Sequence, residues 1–107
     1  LRGHYVSEIP SRLFSHLFKL EQLAFKHSDL VIDNSLVIDK EAFFGLANLI
    51  SLDLSGNDIK HLDPVTFVHT PKLKELNLMY TSLNIDKEFF SHLTNLKKIR
   101  ISSYRLS

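Results

Sequence analysis

Over residues 49–59 the chain reads Leu-x-x-Leu-x-Leu-x-x-Asn-x-Ile, and the same spacing returns in weaker form along its whole length. Four segments align on their apolar residues: Leu20-Leu23-Phe25-Ser28-Leu30, Leu49-Leu52-Leu54-Asn57-Ile59, Leu73-Leu76-Leu78-Thr81-Leu83 and Leu96-Ile99-Ile101-Tyr104-Leu106. A fifth is cut at the start, where Leu1, His4 and Val6 fit the last three marker positions. The leading leucines Leu20, Leu49, Leu73 and Leu96 stand 29, 24 and 23 residues apart. Ahead of each leading leucine the same slots hold Ile9/Ile38/Leu62/Ile85, then Phe14/Phe43/Phe67/Phe90, then Leu17/Leu46/Thr70/Leu93. Ile38-Asp39-Lys40-Glu41 and Ile85-Asp86-Lys87-Glu88 are identical strings. Self-similarity at a fixed period of this size means stacked units, each too small to bury its own apolar side.

Each slot has a physical reading. Alternate residues of a short strand point to opposite faces, so the leucines of Leu-x-Leu face inward and the intervening residues face out. The phenylalanines form a second apolar layer behind the strands. An asparagine at the ninth place supplies a side-chain amide to backbone groups that lack ladder partners. Only Asn57 meets that rule; Ser28 and Thr81 can do part of it with a hydroxyl, and His4 and Tyr104 are unusual there. Asp39 and Asp86 stand where an aspartate caps a short helical turn. Pro10, Pro64 and Pro71 fall in connections where no strand hydrogen bond is needed.

The 107 residues are 44% hydrophobic with a formal net charge of +1, which suits one unit without disorder or low complexity. The expectation is one array over residues 1–107, about four repeats, beginning and ending mid-repeat without caps and therefore part of a longer array. No apolar run approaches the roughly 18 residues of a membrane span, so a membrane enters only through a segment outside this chain. Cysteine is absent, and no Asn-x-Ser/Thr sequon occurs.

With its period near 24 and its phenylalanine column, the whole chain resembles the typical class of leucine-rich repeat proteins. The segments Ile9-Pro10-Ser11-Arg12-Leu13-Phe14-Ser15-His16-Leu17 and Phe90-Ser91-His92-Leu93-Thr94-Asn95-Leu96 look most like Toll-family receptor ectodomains. The resemblance implies an α/β fold: a curved right-handed solenoid, a parallel strand ladder on the concave face, short helices and turns on the convex face. It implies an extracellular location, recognition of a protein or microbial ligand, and dimerisation with a second receptor copy. The alternative is a secreted or matrix adhesion scaffold without a signalling role, and an intracellular scaffold stays open.

The outward strand positions nominate a partner surface on the concave face: His27, Asp53, Lys74, Asn77, Met79, Tyr80, Lys97, Lys98 and Arg100. Lys74, Lys97, Lys98 and Arg100 are expected to cluster, which would steer an acidic partner; ordinary solvated charge is the bland reading. Tyr80 offers rigid contact area, and His27 on such a face would make affinity depend on pH. Residues 31–37 form an insertion, seven residues where the matching gaps have two. Insertions map to loops, but Val31, Ile32, Leu36 and Val37 are apolar and favour packing over binding. No nucleophile elbow, phosphate loop or metal-ligand spacing appears. The chain is therefore expected to be no enzyme, to take no cofactor or metal, and to bind protein without nucleic acid.

Overall fold

In the computed structural model residues 8–25 and 35–101 are described. Six short strands occur among them: β1 (Glu8–Ile9), β2 (Gln22–Ala24), β3 (Val37–Ile38), β4 (Ser51–Asp53), β5 (Glu75–Asn77) and β6 (Lys98–Arg100). β2, β4, β5 and β6 form a four-stranded parallel sheet in that order. Its register follows the repeat slots: Leu23, Leu52, Leu76 and Ile99 are aligned across the ladder. Connections of twenty or more residues carry the chain back each time, as parallel pairing demands. β1 and β3 pair in a separate two-stranded parallel sheet.

The core lies between ladder and returns. Leu49, Leu52, Leu54, Leu73, Leu76 and Leu78 are almost wholly buried, as are Ile9, Ile59 and Ile85 of the following slots. The flanking units are looser: Leu20, Leu23, Leu96, Ile99 and Ile101 are partly buried against the core. Each full burial stabilises by about 1.5–3 kcal/mol, so the two central repeats hold most of the apolar stabilisation.

The returns are tight turns and 3₁₀ segments; no α-helix forms among the described residues. Asp63 caps the 3₁₀ segment Pro64–His69 by accepting from Val65 N, with Pro64 in the first turn where its missing N–H costs nothing. Asp86 caps Lys87–Phe90, accepting from the backbone N–H groups of Glu88 and Phe89. Asp39 accepts from Glu41 N at 2.8 Å. The capping role expected of Asp39 and Asp86 is therefore present, and Asp63 shares it.

Phe14, Phe43 and Phe67 build the expected second layer, but the last unit differs. Phe89, not Phe90, is the buried ring and meets Phe67 edge-on at 5.3 Å; Phe90 is partly buried against Phe89. In the two central units the slot ahead of the column holds the small residues Ala42 and Thr66. A ring at position 89 reaches the Phe67 ring from that slot.

The insertion divides. Leu36 enters the core, Val37 and Ile38 make β3, and Leu36 N donates to Asp58 O at 3.1 Å. Of the apolar insertion residues Leu36 packs, while Val37 is exposed. Val31 and Ile32 lie outside the described residues.

Candidate functional site: the outer face of the strand ladder

The buried asparagine slot fixes the turn that follows each strand. Asn57 Nδ2 donates to Phe25 O of the preceding repeat and to Leu54 O at 3.0 Å within its own. Thr81, in the same slot, donates its hydroxyl to Leu78 O at 2.9 Å and stays within its repeat. A hydroxyl has one donor where an amide has two, so the substitution keeps the turn and gives up the link between repeats.

With the leucines locked inward, two rows of side chains cross the outer face in register. The first is Gln22, Ser51, Glu75, Lys98; the second is Ala24, Asp53, Asn77, Arg100. Ser51, Asp53, Glu75, Asn77, Lys98 and Arg100 line an open depression over the last three strands. Its polarity changes along the array, from acid at Asp53 and Glu75 to base at Lys98 and Arg100.

The nominated residues are not equivalent. Asp53 accepts from Ser55 N at 2.9 Å and from Asn77 Nδ2 at 3.4 Å, and Asn77 Oδ1 accepts from Met79 N at 3.0 Å. Both side chains thus shape the turns after their strands. The signal was available in the sequence, because Leu-Asp-Leu and Leu-Asn-Leu put an Asx side chain in one slot, two residues before an N–H it can reach. Lys98 and Arg100 are exposed, and no ion pair engages them among the described residues. Lys74 and Lys97 sit one residue ahead of their strands, adjacent to each other, with Lys97 N donating to Lys74 O at 2.8 Å. The four cations therefore fall into two neighbouring pairs. Met79 is half-buried and Tyr80 is 73% exposed. His27 lies outside the described residues.

Two polar features escaped the sequence reading. Asn48 Nδ2 donates to Phe18 O and Asn95 Nδ2 to Pro71 O, both at 2.8 Å, while Lys72 Nζ donates to Asn48 Oδ1 at 2.7 Å. This is a second tie between repeats, built from the residues just before Leu49, Leu73 and Leu96; the repeated Asn-Leu was its signal. On the opposite side Arg12 stacks over the Phe44 ring at 4.1 Å and pairs with Glu41 at 3.4 Å. His69 meets the same ring edge-on at 5.3 Å. Among the described residues no three His, Asp or Glu side chains are placed to share a metal ion, and no helix is long and apolar enough to cross a membrane.

A leucine-rich repeat family model matches residues 29–83. Among solved structures, the crystal structure of a TLR13-ssRNA13 complex is similar, with TM-score 0.74 and 26% sequence identity. The likeness covers 87% of this chain and 13% of that one, so the chain spans a small fraction of its relative's length. No curated protein matches.

Proposed function

The chain belongs to the leucine-rich repeat family, and on that premise we propose that it is a protein-binding segment of a Toll-like receptor ectodomain. It lies outside the cell, contributes surface complementarity without turnover, and supports pairing of two receptor copies. The observation that carries this reading is the outer face of the ladder. Its strands are pinned from behind, while Glu75, Lys98 and Arg100 stand exposed in register upon it. Preorganised charge of this kind gives specificity and association rate.

The relative of known structure is a complex with ssRNA. A phosphate chain laid along this face would meet Asp53 and Glu75 before reaching Lys98 and Arg100. Mixed polarity suits a protein partner better than a polyanion, whose affinity comes mainly from neutralised phosphates.

Charge reversal at Lys97, Lys98 and Arg100 tests the proposal. All three are exposed, so the triple variant keeps its circular dichroism spectrum while its affinity for the wild-type protein ligand falls about tenfold or more. Unchanged affinity would remove this face from the reading.

A further inference from the structure

Two non-glycine residues hold a positive φ among the described residues, Arg12 and Tyr80, both at 60°. For an L-residue this conformation brings Cβ against the carbonyl, a strain that only glycine escapes. Arg12 is compensated within the fold. Its N–H donates to Glu41 O at 2.9 Å, its guanidinium pairs with the Glu41 carboxylate, and it stacks over Phe44.

Tyr80 has no such compensation. It makes no hydrogen bond and no ring contact among the described residues, and its side chain is 73% exposed. The matching slot one repeat earlier holds Gly56 at φ 80°, the residue that suits the turn. The backbone there is fixed from both sides: Asn77 Oδ1 accepts from Met79 N, and Gly56 N donates to Met79 O at 2.9 Å. A strained, bulky, exposed aromatic thus stands where a glycine would serve the fold better. The backbone bonds at Met79 hold the strain in place, and no hydrogen bond or ring contact of the Tyr80 side chain among the described residues offsets it, which marks the residue for function.

We propose that Tyr80 is the anchor of the partner interface, inserting its ring into an apolar notch of a protein segment whose carboxylates meet Lys98 and Arg100. This rests on the protein-binding reading above. Position 80 closes the turn after β5, two residues beyond Leu78, whose N–H donates to Arg100 O at 2.7 Å. Anchor and cations therefore lie on adjoining repeats, with Lys98 and Arg100 in the lining of the depression and Tyr80 in the turn beyond β5. Gly56, on the other flank, has no side chain to crowd the ring. The partner chemistry follows: an apolar group for the phenol and acids for the exposed Lys98 and Arg100. Asp53 and Glu75 argue against a uniform polyanion.

The test uses the full chain and three variants, Tyr80→Gly, Tyr80→Phe and the pair Lys98→Glu/Arg100→Glu. The probes are a labelled acidic-apolar peptide, (Asp-Leu-Glu-Phe)₃, its Lys-for-acid counterpart and a 12-nucleotide polyuridine, followed by fluorescence anisotropy. The wild type is expected to prefer the acidic peptide. Tyr80→Gly loses about tenfold in affinity while its melting temperature rises by roughly 2–5 °C. Tyr80→Phe keeps most of the affinity, and the double reversal abolishes the preference for acid. Equal binding by wild type and Tyr80→Gly, or a lower melting temperature for Tyr80→Gly, overturns the anchor and leaves the protein-binding reading standing. Binding of polyuridine in place of peptide overturns the partner class. Binding of no peptide by the wild type overturns both.

Discussion

Single side chains show how much of this fold depends on polar atoms placed among leucines. Asn57 satisfies carbonyls of two repeats, and its truncation strands them in a buried turn. Asn57→Ala is expected to cost about 2–3 kcal/mol and Thr81→Ala about 1 kcal/mol, because Thr81 serves one carbonyl of its own repeat; urea unfolding separates the two. Thr66 is the opposite case. Its Oγ1 is buried without a hydrogen-bond partner among the described residues, in a slot that elsewhere holds Leu13, Ala42 and Phe89. Thr66→Val removes the stranded hydroxyl at nearly constant shape, so a gain of about 1 kcal/mol is expected; a loss on calorimetric melting would mean that the hydroxyl is satisfied. Gly45 has φ 95°, and a Cβ there would stand 2.6 Å from Ser15 O. Since the obstacle is backbone, Gly45→Ala should destabilise by about 2 kcal/mol or more in the same urea assay.

At the scale of elements, the three-residue strands were legible because Leu-x-Leu has a strand's period and recurs at matching slots. The Asp caps were legible because Asp39 and Asp86 head identical strings. Their weight is testable: Asp86→Ala loses two acceptor contacts and should cost about 1 kcal/mol, measured by chemical denaturation. Three elements were not legible. The β1–β3 sheet joins Ile9 to Ile38 across 29 residues, the distance between their two positions, and only stacking brings those residues side by side. The exchange of Phe89 for Phe90 depends on space above Thr66 and Phe67, which period alone does not report. The turn conformation of Tyr80 was hidden behind its side chain, because a tyrosine carries no sign of a left-handed backbone; only its alignment with Gly56 did. Of the nominated surface, Lys98 and Arg100 are exposed on the outer face. Asp53 and Asn77 were read only as outward-facing, although an Asx residue in one slot of both repeats also carried the signal of a turn former.

For the whole molecule, a stack of repeats has stability close to a sum of unit and interface contributions. Leu52→Ala, fully buried in β4, should cost about 3–4 kcal/mol, and Leu23→Ala, half-buried in β2, noticeably less; equal costs in urea would contradict the graded core. The same construction leaves one side of the sheet free to meet a partner while the other is consumed by packing. That division is the central claim, and site-specific photo-crosslinking tests it most directly. A photoreactive side chain is placed in turn at Glu75 and Arg100 on the ladder, and at the exposed Lys40 and Lys87 on the returns. The account predicts crosslinks to one protein from Glu75 and Arg100, and none from Lys40 or Lys87. Crosslinks confined to the returns, or a nucleic acid captured at the ladder, would contradict it.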